Sequence, residues 1–322
     1  MSAMRNFTED QIMFRDAYRK FLASEIAPHM EDWREAGIVD RSAFKKAGDL
    51  GFLMIWPDEK YGGMGDTDFR YEQIIIEETA RAGCKQFYNT LHSRLVGPYF
   101  QRFGTEEQRQ RFLPKCVSGE TILAIAMTEP GAGSDLAGMR TSAEDKGDHF
   151  LLNGSKTYIS NGINADVVIV AAKLAGADKK HAMVLLIVER GMEGFERGRN
   201  LKKMGMPAQD TAELFFKDVK VPKANVLGEP GKGFYYLMEG LAEERLISAV
   251  GCAANARKAF DITREYVMQR QLFGQPLSDQ QNTQFRMAEM DTEIELVEIY
   301  VDHLVAAHNT GQLSSNSCSS RT

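Results

Sequence analysis

The residues best suited to chemistry in this chain are two adjacent carboxylates, Glu243 and Glu244, followed by Arg245, and a glycine-rich stretch, Ala126-Met127-Thr128-Glu129-Pro130-Gly131-Ala132-Gly133-Ser134-Asp135. Neighbouring residues on a helix project about 100° apart, so only one of the two glutamates can face a given site. A carboxylate in water-poor surroundings has its pKa raised toward neutrality and can act as a general base. In open solvent the same trio is an ordinary charged turn of helix. The proline and glycines of the other stretch force a tight loop, which lets backbone N–H groups and the Ser134 hydroxyl approach a ligand closely. It is not a dinucleotide fingerprint: after Gly131 and Gly133 the next glycine is Gly138, and no amphipathic helix follows. Taken alone, Tyr158 and Ser160 alternate as in any strand, Arg270 reads as a helix-end charge, and Phe273 reads as core packing.

These groups need elements to position them, and the sequence changes period along its length. Up to about Ser118 it reads as helices. Thr8 and Gln11 have capping-box spacing, with Phe14, Tyr18, Phe21 and Leu22 following at helical steps. Further helices are predicted over 42–50 and 71–81, with a glycine-bearing loop over 57–66 between them. From 119 to 228 the reading is strands. Asn153-Gly154 is a hairpin signal, and β-rich runs occur at 167–171, 183–188 and 214–221. No helix separates these runs, so an antiparallel barrel or sandwich is expected rather than a parallel βαβ sheet. From 229 to 312 helices return. Met287, Met290, Ile294, Val297, Val301 and Leu304 form an apolar seam that needs a partner helix, for which 246–268 is a candidate. The expected fold is therefore α+β and multidomain: an N-terminal helical domain (1–118), a middle antiparallel β-barrel-like domain (119–228) and an incomplete C-terminal helical bundle (229–312). A polar, Ser-rich tail (313–322) is expected to be disordered.

Composition narrows the function. The chain has 322 residues and a net charge of −6, against the basic excess usual in nucleic-acid binders. Four cysteines, Cys84, Cys116, Cys252 and Cys318, form no C-x-x-C pair and have no histidine at ligand spacing. Neither a disulfide framework nor a metal site is expected. Apolar runs are too short to span a bilayer, and residues 1–7 carry no signal core. A cytoplasmic location is expected.

The decamer 126–135 resembles the signature of the acyl-CoA dehydrogenase family. Asn153–Gly162 resembles that family's second flavin-contacting segment. The stretches 201–205, 210–216 and 219–226 resemble the rest of its β domain, and 233–245 and 270–274 resemble its C-terminal helices. The similarity runs in family order from about residue 7 to about 312. Gly233–Met238 with Glu243–Leu246 is most similar to the long-chain branch.

This resemblance implies FAD as cofactor and a medium- to long-chain acyl-CoA as substrate, oxidised to the trans-2-enoyl-CoA. It implies that Ala126, Met127, Thr128, Gly133 and Ser134, with Tyr158, Ile159 and Ser160, bind the flavin, and that Ser134 also meets the acyl-CoA. It makes Glu244 the base, with Glu243 the weaker candidate. Glu243, Arg245 and Tyr235 would line the substrate path, and Lys173 and Leu174 would lie near the CoA. Arg270, Phe273 and Gln281 would hold the adenine-diphosphate half of FAD across a dimer interface; Arg suits a pyrophosphate through its planar fork. Electron-transfer flavoprotein is the implied acceptor, and a homodimer or homotetramer the implied assembly. Family chains continue well past Leu313, so truncation before the last helices is expected. Two further readings follow: a non-catalytic remnant that binds at most a CoA ester or a partner, and a flavin oxidase on the same fold.

Overall fold

The structure of the protein is a computed structural model that describes residues 5–177 and 181–313. In chain order the α-helices before the sheet are α1 (Glu9–Phe21), α2 (Met30–Ala36), α3 (Arg41–Asp49), α4 (Phe69–Arg81), α5 (Gly97–Phe103) and α6 (Glu106–Val117). The strands are β1 (Leu123–Ala126), β2 (Ser142–Asp145), β3 (His149–Ser160), β4 (Val167–Leu174), β5 (Met183–Glu189), β6 (Phe195–Asn200), β7 (Thr211–Pro222) and β8 (Val226–Gly231). Helix α7 (Gly233–Gln269), a short ribbon of β9 (Gln271–Leu272) and β10 (Gln275–Pro276), and helix α8 (Gln281–Asn309) follow. The expected order of helices, sheet and helices is the order found. The tail after Leu313 lies outside the described residues.

The chain folds as two compact units. One gathers residues 1–22, 68–84 and 241–322; the other gathers 23–67 and 85–240.

The second unit is built on the sheet, in the order β6-β7-β3-β2-β4-β5-β8, with β1 also paired to β4. Most pairings are antiparallel, as expected, but β1 and β2 both run parallel to β4. They occupy one edge of β4 in succession, β1 against Val167–Val170 and β2 against Lys173 and Leu174. Strands β4 and β5 are buried on both faces, which explains their unbroken apolar runs. Val167, Ile169 and Ala171 pack with Leu113, Phe112 and Phe100 of the helices. Val168, Val170 and Ala172 pack with Leu152, Leu214 and Val219, so the sheet curls over its own core.

Asn153-Gly154 is not a hairpin. Strand β3 runs straight through it, and the chain reversal lies earlier, between β2 and β3, where Gly147 has φ 95°. The register of β3 against β7 shifts between Leu152 and Gly154, which makes Gly154 part of a bulge. Its φ is 147°, and an added Cβ would lie 2.5 Å from Thr141 Oγ1. The site therefore demands glycine for a close approach rather than for a turn.

In the first unit, Thr8 caps α1. Its hydroxyl accepts from Gln11 N at 3.2 Å, and Gln11 Oε1 accepts from Thr8 N at 3.1 Å. Tyr18 of α1 meets Thr79 of α4 at 2.8 Å. Helix α8 divides along its length. Val301 and Leu304 are buried where α8 packs on α4, with Gln73 donating to Asp302 at 2.8 Å. Met290 and Val297, earlier in the same expected seam, are exposed. There α8 meets α7 through charge, Arg257 pairing with Asp291 at 2.6 Å and Glu298 at 3.0 Å. Among the described residues, no helix is long and apolar enough to cross a membrane, and no cluster of His, Cys, Asp and Glu could hold a metal ion.

Candidate active site

The glycine-rich loop leaves the sheet at the end of β1 and returns at the start of β2. Because both strands lie along one edge of β4, residues 127–141 form a single excursion between them, anchored by the buried Met139. Its tip is a tight turn, with Glu129 N donating to Ala132 O at 2.8 Å and Ala132 N to Glu129 O at 3.2 Å. Ser134 is exposed beside it. A Cβ on Gly131 or Gly133 would meet nothing within 4 Å, so the outer face of the loop is open. Ala126 is buried in the sheet, which leaves only its backbone available.

The second predicted segment lies against this loop. The register of β3 shifts again between Lys156 and Ile159. At that bulge Thr157 turns away from β7 and donates its N–H to Thr128 O at 3.0 Å. Tyr158 takes φ 58°, a left-handed conformation uncommon for a bulky residue, and the residue is 69% exposed. Bulges commonly re-aim a side chain in this way. Ser160 is half-buried, and Ile159 is buried in the core. The structure thus brings Met127 and Thr128 against the Lys156–Tyr158 stretch on the sheet unit, while Ser160 pairs with Thr211 of β7 two residues further on.

A buried ion pair that the sequence did not flag holds this patch together. Lys156 Nζ donates to Met127 O and to Glu129 Oε1, each at 2.9 Å. Glu129 also accepts from Arg140 N at 2.6 Å and Thr141 N at 3.0 Å. Burial pushes the Lys156 ammonium down to about 8, against the opposing pull of Glu129. Burial would raise the Glu129 carboxyl, but its bonds to Thr141, Arg140 and Lys156 outweigh that and hold it below the usual carboxylate range. A lysine in a strand reads as a surface residue in sequence, so no pattern singled out Lys156.

The remaining predicted residues divide between the units. Tyr235, in the first turn of α7, is exposed, and Lys173 and Leu174 end β4 in the sheet unit. Glu243, Glu244, Arg245, Arg270, Phe273 and Gln281 belong to the helical unit. Glu243 is buried, with Oε2 3.9 Å from His308 Nε2 of α8. Glu244 is less buried and projects from another side of α7. Arg270 closes α7, where its carbonyl accepts from Leu277 N at 2.7 Å. Phe273, at the tip of the β9–β10 ribbon, has φ 52° and is 91% exposed, so it is not a core residue. Gln281, which opens α8, is also exposed.

The donor set suits a flavin. The ring's polar edge needs neutral hydrogen-bonding groups; Thr128, Ser134 and Ser160 carry hydroxyls, and there is open space at Gly131 and Gly133. Tyr158 offers an uncovered aromatic face for a planar ring.

Three family models cover the chain in order: the acyl-CoA dehydrogenase N-terminal domain over residues 8–120, the middle domain over 124–219 and the C-terminal domain over 231–320. The chain belongs to the acyl-CoA dehydrogenase family. The long-chain specific acyl-CoA dehydrogenase of Mus musculus mitochondria is 44% identical over 317 residues, 98% of this chain and 74% of that protein. The crystal structure of an acyl-CoA dehydrogenase from Geobacillus kaustophilus superposes with a TM-score of 0.95 at 50% identity, covering 98% of this chain and 83% of that one. An acyl-CoA dehydrogenase from Bacillus anthracis, solved in complex with FAD, has a TM-score of 0.88 at 32% identity, covering 97% and 55%. Acyl-CoA dehydrogenases are FAD-using flavoprotein oxidoreductases, and this chain is an enzyme of that family.

Proposed function

We propose that this acyl-CoA dehydrogenase oxidises a medium- to long-chain acyl-CoA to the trans-2-enoyl-CoA, with Glu244 as the base. The observation that carries the flavin site is the bulge at Thr157–Tyr158, tied by Thr157 N to Thr128 O, which unites the two predicted flavin segments. The segments 126–134 and 158–160 would hold FAD, which would supply the acceptor for the hydride leaving Cβ of the substrate. Met127 and Thr128 orient the flavin's polar edge, Tyr158 covers its face, and the Ser134 hydroxyl is shared between cofactor and thioester. The Glu244 carboxylate takes the proton from Cα, and the electron pair of that C–H bond becomes part of the new double bond. The choice of Glu244 over Glu243 rests on the resemblance of Glu244-Arg245 to the family's helix-borne base; the Glu243 carboxylate lies 3.9 Å from His308 Nε2. Arg245 orients the neighbouring carboxylates, and Tyr235 lines the acyl path.

Arg270, Phe273 and Gln281 sit at exposed positions around the ribbon, as residues serving the adenine-diphosphate half of FAD across a homodimer or homotetramer interface would. Electron-transfer flavoprotein is the proposed acceptor. Free thiols at Cys84, Cys116 and Cys252 suit a reducing compartment such as the cytoplasm.

Glu244→Gln tests the base. The variant is expected to retain bound FAD but lose turnover with an acyl-CoA, because an amide cannot accept the Cα proton. Turnover at the wild-type rate would remove Glu244 from this role.

A further inference from the structure

We infer that Lys156 and Glu129 are the positioning pair of the flavin site, with the Lys156 ammonium acting on the flavin edge through the Met127–Thr128 peptide. The inference rests on the flavin reading of this patch. Lys156 Nζ and the Glu129 side chain are almost wholly buried, at 0% and 5% exposure. Such a pair is expensive to desolvate, and an apolar pair of similar volume often stabilises a fold equally well. Stability alone therefore does not account for it.

Its connections point to a local task. One ammonium bonds Met127 O, at the exit of β1, and Glu129, inside the turn. The same Glu129 fastens Arg140 N and Thr141 N, where the loop returns to the sheet. Lys156 itself stands one residue before the Thr157–Tyr158 bulge. Both ends of the loop and the aromatic wall are thus fixed to one charge pair.

The Met127 carbonyl and the Thr128 N–H belong to one peptide group. A cation on that carbonyl draws electron density from the group and makes its N–H a stronger donor, the usual cooperativity of linked hydrogen bonds. A stronger donor at the polar edge of a flavin binds the electron-rich reduced ring better than the oxidised one. Lys156 touches neither cofactor nor substrate in this scheme; it acts through Thr128.

Lys156→Met alone would strand a buried carboxylate and endanger the fold, so the test uses the double variant Lys156→Met/Glu129→Gln in the full chain. FAD affinity is measured by flavin fluorescence, the flavin midpoint potential by dye-coupled reduction, and stability by thermal unfolding without FAD. The expected result is an unfolding midpoint close to wild type, FAD binding about tenfold weaker because the Thr128 N–H becomes a poorer donor, and a lower midpoint potential. A folded variant with wild-type affinity and potential overturns the positioning role while leaving the flavin reading intact. A variant that no longer folds also overturns it, because the pair is then a fold element. A wild-type chain that takes up no FAD overturns both readings.

Discussion

Two buried basic side chains hold the short strand β1 from opposite ends. His92 receives the Leu123 N–H on Nδ1 at 3.1 Å and lies 2.9 Å from Cys116 O on Nε2. The first bond fixes the tautomer, so Nε2 carries the proton and donates to Cys116. Lys156 takes the Met127 carbonyl just beyond the other end. Burial lowers His92 to about 4. A histidine with a depressed folded pKa stays neutral while the unfolded chain takes up a proton, so its contribution to stability is present above about pH 6.5 and is lost as pH falls toward 4. Comparing urea unfolding at pH 7 and pH 5 for wild type and His92→Gln checks this. Wild type should lose more stability than the variant, by about 1–2 kcal/mol; equal losses would mean that His92 is not the titrating group. Neither residue was legible in the sequence. A single histidine or a strand lysine has no spacing that distinguishes it, and its importance comes from partners 24 to 31 residues away.

At the scale of elements, local chemistry was legible and long-range pairing was not. The Thr8–Gln11 capping box, the helix at 71–81 and the twice-buried strands β4 and β5 follow from patterns a few residues long. Asn153-Gly154 failed as a hairpin signal because β7, some sixty residues on, pairs with β3 on both sides of it. The parallel placement of β1 and β2 on β4 was equally hidden, and it is what fixes both ends of the site loop. The apolar seam of α8 was found in sequence, but α4, far upstream, packs where its last two members, Val301 and Leu304, are buried. This division gives a direct contrast. Leu304→Ala should cost about 2–5 kcal/mol, whereas Leu296→Ala, at a position 63% exposed, should change stability by less than about 0.5 kcal/mol. Chemical denaturation of the two variants measures both; equal costs would show that α8 is covered at Leu296 in solution.

At the scale of the whole molecule, family membership carries more of the functional account than any single residue does. Residues 126–135 admit several uses when read by themselves; their place in the middle one of three family domains matched in order is what supports proposing a flavin role for them. What the chain itself must supply is a flavin cradle, a path for a thioester and one competent base. The measurement that addresses these together is an anaerobic titration of the FAD-loaded protein with a long-chain acyl-CoA, following the flavin's visible absorbance. Bleaching of the oxidised flavin band on substrate addition is the predicted result, and it should be absent in Glu244→Gln. A bound flavin that stays oxidised in the wild-type chain across medium- and long-chain acyl-CoAs would contradict the proposed reaction.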